Sequence, residues 1–336
     1  MLFLVLRNTS TYKLLVNYFI GPILFIVLGC FIYKNLTEKE NIASSWAHLK
    51  FVFQRHFWLL AVLLVLMLVN WTLEAVKWRY LVRSVERISL FTGARAVMSG
   101  LSFSLFIPNG LGEYVGRMLY LDDGKRLRSV SVSIVGSISQ VIVTFTMGLA
   151  GTVLLLHHSV RIGSLQASPV LRWWMEGLFY FVIASTVLLV LMYFKISWFA
   201  KWLQKIPFVY RHRIFIVSLE SYDTRLLAKV LFFAFLRYLV FILQYLLVFY
   251  MLEIQMSLLD CSAATAAMFL IMAVVPTIPV AEVGIRGQIS LQVFGLFSSN
   301  NLGIISAAIL IWLVNIIIPS ILGTMFILGV KIFKNR

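Results

Sequence analysis

Two acid and base pairs, Glu113 with Arg117 and Glu282 with Arg286, each follow an apolar run in a chain with few charges. Residues four apart share one face of a helix, so each pair sets a carboxylate beside a guanidinium. Such a pair can neutralise itself, which makes a broken helix tolerable at membrane depth. It can also divide the polar end of a lipid, the carboxylate meeting an amine or hydroxyl and the guanidinium gripping a phosphate with two parallel hydrogen bonds. Ionisable groups at that depth are costly and mark pathways or sites.

The segments that carry the pairs cannot be ordinary spanning helices. The run from Ala94 to Ile107 has 14 residues, about 21 Å at about 1.5 Å per residue, where a hydrocarbon layer needs about 30 Å. Pro108, Gly110 and Gly112 then stop the helix, and Glu113 follows. Near the other end the run from Ala266 stops at Pro276 and Pro279, and Glu282, Gly284 and Arg286 follow. Pro108 and Pro279 lie 171 residues apart, about half the chain. Paired Pro/Gly-broken segments at corresponding places in two halves point to a transport site between repeats.

Composition sets the solvent. With 61% hydrophobic and 12% charged residues and a mean hydropathy of +0.94, the chain reads as an all-α, polytopic integral membrane protein. A net charge of +16 would suggest nucleic acid in a soluble chain. Here the basic residues sit in short loops between apolar runs, the positive-inside pattern, and no nucleic-acid partner is expected. Cys30 and Cys261 form no CxxC and have no His at ligand spacing. No metal, cofactor or disulfide is therefore expected. Val27 to Cys30 loosely matches a lipoprotein cleavage box, but a long run interrupted by Gly21 and Pro22 precedes it, so Leu14 to Tyr33 is read as an uncleaved first span.

Six full spans are expected, at Leu14 to Tyr33, Phe57 to Val76, Val130 to His157, Gly177 to Phe194, Val230 to Leu252 and Ile304 to Ile332, the last kinked at Pro319. If the Gly93 to Leu121 stretch crossed once, the basic loops Lys77 to Arg95 and Lys195 to Lys229 would face opposite sides. If it is a re-entrant hairpin, twenty Lys and Arg collect on the cytoplasmic side with both termini, six lie outside, and Arg117, Arg237 and Arg286 remain at depth. The positive-inside rule favours the hairpin. The second broken stretch then dips in from outside, which makes two opposed hairpins in an inverted repeat with halves of about 57–194 and 230–332 in one transmembrane domain, residues 1–336. A bacterial cytoplasmic membrane is the expected location.

Three further features belong to this frame. Ser133, Gly136, Ser137, Gln140, Thr144, Gly148 and Gly151 make one small and polar stripe, suited to close helix packing or to lining a hydrophilic furrow. Arg237 lies about two turns inside its span with Gln244 on the same face, placed to face protein or phosphate, or to snorkel to the surface. Trp198, Phe199, Trp202 and Leu203 interleave with Lys201, Lys205, Arg211 and Arg213 as an interfacial segment on anionic headgroups does. The five histidines fall near membrane surfaces, and none is placed as a catalytic base.

At Pro108, Gly110, Gly112, Glu113 and Arg117, at Pro279, Gly284 and Arg286, and at the Trp78-x-x-Leu81 of K-W-R-Y-L, the sequence resembles the transmembrane domain of lysylphosphatidylglycerol synthetase/flippase proteins. The family's second motif runs Pro-Gly-Gly-x-Gly-Val-Arg-Glu. Here Ala281 and Glu282 replace its Gly-Gly and Gly287 replaces its Glu. The resemblance implies flipping of a polar or charged lipid headgroup, from an anionic or aminoacylated phospholipid or a lipid-linked precursor, with Pro108, Gly110, Gly112, Glu113, Arg117, Pro279, Gly284 and Arg286 at the site; the placement of Gln140, Arg237 and Glu282 along the chain adds these three as candidates. In two-part members a soluble aminoacyl-transfer domain follows. The chain ends at Arg336, so synthetase activity is not expected. The alternatives are a membrane enzyme acting on a lipid or polyprenyl carrier with Glu113 as base, and an envelope scaffold.

Overall fold

A lipid layer offers backbone groups no hydrogen-bond partner, so a spanning chain must satisfy its own, which a helix does within one segment. The computed structural model describes residues 54–106, 111–162, 169–203, 217–275 and 279–328, and its regular elements are all helical. Helix α1 is Phe57–Val82, followed by α2 Leu90–Phe106, α3 Leu111–Met118 and α4 Arg126–Ile162. Next come α5 Pro169–Phe194 and α6 Ile196–Leu203, then α7 Thr224–Met251, α8 Leu258–Val274, α9 Pro279–Phe294, α10 Asn301–Trp312 and α11 Ile318–Leu328. A wider π turn, Leu313–Ile317, joins the last two. Pro319 explains it: proline has no N–H to return to the carbonyl of Asn315, and the ladder loosens just ahead of it.

Four stretches among the described residues are long and apolar enough to cross a membrane: Phe57–Val82, Asp123–Leu155, Thr224–Met251 and Asn301–Ile327. A fifth counts if α5 and α6, bent by 78° at Lys195, form one broken span. The expected Leu14 to Tyr33 span, Pro108 and Gly110 lie outside the described residues. Helix α6 leaves the α5 axis sharply and exposes Trp198 and Trp202, as a segment lying along an interface would.

Helices α1 and α7 pack side by side and antiparallel. At one end Arg55 and His56 meet Glu253 at 3.8 and 3.7 Å, and at the other the Tyr222 hydroxyl donates to the Leu81 carbonyl at 2.8 Å. The loop after α1 and the loop before α7 therefore share one end of the molecule. The first broken stretch returns to that same end, where Lys125 reaches Glu86 at 3.5 Å. It is a helical hairpin, and its arms touch backbone to backbone: a Cβ at Gly116 would overlap Gly100, and one at Gly112 would overlap Phe103. The second broken stretch is rooted at the opposite end, where Phe294 packs on Phe249 near the end of α7.

Each broken stretch is clasped by a helix distant from it in sequence. Gly148 and Gly151 of α4 lie against Ala263, Ala266 and Leu270 of α8, while Gly323 of α11 lies against Met98 of α2. In the second seam Ser99 Oγ donates to the Gly323 carbonyl at 3.3 Å and Ser102 Oγ to the Ser320 carbonyl at 2.6 Å. Small residues permit both approaches, as they do throughout membrane helix packing.

Candidate functional site

Helix α1 carries three polar residues, Asn70, Glu74 and Lys77, at spacings of four and three on its protein-facing side, all buried. The carboxylate of Glu74 gathers three cations from three helices. Its Oε1 accepts from Arg117 Nη2 of α3 at 2.8 Å, and its Oε2 takes Lys77 Nζ at 2.7 Å and Arg237 Nη1 of α7. Arg117 also pairs with Glu113 one turn earlier on α3. Arg237 donates through Nε to Asn70 Oδ1 at 2.8 Å and lies 3.5 Å from Gln140 Oε1 of α4. With Lys77, Arg117 and Arg237 against Glu74 and Glu113, the cluster formally holds one positive charge in excess.

The surroundings hold this arrangement rigid. Lys77 Nζ donates to the Gly136 carbonyl at 3.3 Å and Trp78 Nε1 to Ser133 Oγ at 3.1 Å, tying α1 to α4. The Arg117 guanidinium lies 6.0 Å from the Trp78 ring, and that of Arg237 lies 5.4 Å from Trp71. Asn315, in the π turn, accepts from Asn70 Nδ2 at 3.3 Å and donates to Gln244 Oε1 at 3.0 Å. Buried polar groups linked in this way favour one arrangement of helices. Arg117 Nε in the cluster, and Trp71 Nε1 and Gln244 Nε2 around it, are buried with no partner among the described residues.

Glu113 differs from its neighbours in reach. Its side chain is 32% exposed, against 2% for Arg117 and 4% for Glu74. It stands in the first turn of α3, where a carboxylate complements the positive end of the helix dipole, with Arg117 in the last turn. Glu282 occupies the same place in the first turn of α9, and Arg286 pairs with it. Pro279 is the first residue of α9, where a missing N–H costs nothing, and Gly284 lies between the two charges. This second pair recruits no other charged group that the structure shows bonded to it. The Arg286 guanidinium faces the Phe269 ring at 6.0 Å, and its Nε is buried without a partner among the described residues.

Of the residues expected from sequence, Glu113, Arg117, Gln140 and Arg237 meet in one cluster, and Glu282 with Arg286 forms a separate one. Arg237 faces protein at 9% exposure. The α4 stripe is divided: Ser133, Gly136, Ser137 and Gln140 contact α1, α3 and α7 through polar groups, and Gly148 with Gly151 serves packing. Glu74, the centre of the cluster, was not expected, nor were Asn70 and Asn315. Hydropathy ends this span at Val76 and puts Lys77 in the following loop, but Lys77 lies buried inside α1 and leaves that loop's basic count one lower. The signal was present as Asn70, Glu74 and Lys77 on one face of an apolar run.

A family model described as "Lysylphosphatidylglycerol synthase TM region" matches residues 18–323. Among curated proteins none matches the chain.

Proposed function

Since the chain belongs to the lysylphosphatidylglycerol synthase TM-region family, we propose that it moves the polar headgroup of a membrane lipid between leaflets, along a furrow between its two hairpins. The observation that carries this reading is the Glu74 cluster: a buried site with a positive charge in excess, an unpartnered Arg117 donor and one partly exposed carboxylate, Glu113. The excess charge suits a phosphate, and Glu113 suits an amine or hydroxyl beside it. The arginines rather than the helix ends take the phosphate, because Glu113 and Glu282 already occupy the first turns of α3 and α9.

The reading includes an inverted repeat with halves of about 57–194 and 230–332. Supporting it, α1 and α7 run antiparallel, the hairpins are rooted at opposite ends, and α4 clasps α8 as α11 clasps α2. In this arrangement the first hairpin enters from the cytoplasmic side of a bacterial cytoplasmic membrane, with both termini on that side. Anionic or aminoacylated phospholipids and lipid-linked precursors are the substrate classes that fit.

Replacing Glu113 by Gln leaves Arg117 paired with Glu74, so the fold survives while headgroup recognition changes. Labelled lipid in reconstituted vesicles should reach the outer leaflet at least ~10-fold more slowly, the loss expected for one charge-assisted hydrogen bond. A Glu113→Gln protein that flips lipid at the native rate would overturn the assignment.

A further inference from the structure

Beyond the buried cluster, the end of α1 carries cations that no carboxylate among the described residues pairs with. Arg79, Arg83 and Arg87 recur every fourth residue through the last turn of α1 and the turn after it, all exposed and with no ion pair among the described residues. They line a depression of about 240 Å³ with Tyr80 and Ile88. A second depression of about 400 Å³ shares Tyr80 and Arg83 and continues toward α7, where Arg225 and Lys229 join it. Asp223 is the one carboxylate among the described residues that line either hollow, and its Oδ1 is engaged by the Leu226 N–H as the α7 cap. The Tyr80 ring is held in place by stacking on Phe233 at 5.6 Å.

We propose that this joined hollow binds the phosphodiester headgroup of an anionic phospholipid at the membrane surface. Five cations around one engaged carboxylate fit a phosphate, which arginine holds through paired N–H groups. Free phosphate would satisfy the same groups. The lipid is favoured because the hollow lies where two membrane-spanning helices, α1 and α7, reach the surface. Its wall also mixes Tyr80, Ile88 and Leu226 with the arginines, an apolar face for the glycerol and upper acyl chain. The site shares no residue with the Glu74 cluster, so it stands whether or not the chain flips lipid.

The test is native mass spectrometry of the full chain in detergent, titrated with dihexanoyl phosphatidylglycerol, dihexanoyl phosphatidylcholine and, as competitor, glycerol phosphate. The Glu113→Gln protein is measured alongside, so that binding at the buried cluster cannot mask the result. Phosphatidylglycerol should bind in preference to phosphatidylcholine, and the triple variant R79Q/R83Q/R87Q should lose at least about tenfold in affinity. Removing three exposed cations elsewhere, in R128Q/K195Q/K201Q, should cost less than about twofold. Equal losses in the two triple variants would mean diffuse charge and overturn the site. Glycerol phosphate displacing the lipid at equal concentration would overturn the assignment to lipid.

Discussion

The two hairpins begin alike and end differently. Each second arm opens with an acid in its first turn and an arginine four residues on, yet Arg117 is drawn into a five-charge cluster while Arg286 keeps to Glu282 and aromatic rings. The difference comes from the neighbouring span. Helix α1 supplies Glu74 beside the first hairpin, and α7 supplies Tyr245 beside the second, packed on Phe269 and Phe294. A repeated local motif thus acquires two electrostatic characters. The first hairpin is held by ions, and the second is largely held by apolar and aromatic packing.

The largest effect that would test this contrast is at Glu74, which has no acidic counterpart beside the second hairpin among the described residues. Glu74→Gln leaves Lys77, Arg117 and Arg237 crowded without their shared carboxylate, and should destabilise the protein by about 3–5 kcal/mol. Thermal unfolding in detergent measures it, and a loss below about 1 kcal/mol would mean that the cluster is not what holds α1, α3 and α7 together. Next in size are the hairpin glycines. Gly116→Ala drives a methyl into the Gly100 backbone and should cost about 1–3 kcal/mol by overpacking, read from the same melting curve.

Exchanging the residues of each pair sharpens the comparison further. The double change Glu113→Arg with Arg117→Glu places a second buried carboxylate beside Glu74. The double change Glu282→Arg with Arg286→Glu meets no other carboxylate shown bonded to that pair. The first exchange should therefore be the more destabilising by at least about 2 kcal/mol, and equal melting temperatures would erase the distinction between the hairpins. The smallest stability effect is expected at the partly exposed acid: Glu113→Gln should shift unfolding by less than about 1 kcal/mol. A larger shift would assign Glu113 to the framework.

Much of this was legible in order along the chain. Composition decided the solvent, because no core can bury so apolar a sequence in water. Pro108 and Gly112, with Pro276 and Pro279, marked the broken arms, because proline and glycine act on the backbone within one helical turn. The paired spacing of Glu113 with Arg117 and of Glu282 with Arg286 placed each couple on one helix face for the same local reason.

What the tertiary structure alone decided is which charges meet. Arg117 reaches Glu74 across 43 residues of sequence, Arg237 reaches it across 163, and Asn70 reaches Asn315 across 245. Helical periodicity reports only which residues share a face, and a face has no partner until helices pack. Lys77 illustrates the limit: hydropathy ended its span at Val76, because a charged residue reads as the edge of a membrane segment. Packing against Glu74 and the Gly136 carbonyl offsets the cost of burying it, and that compensation exists only in the folded chain.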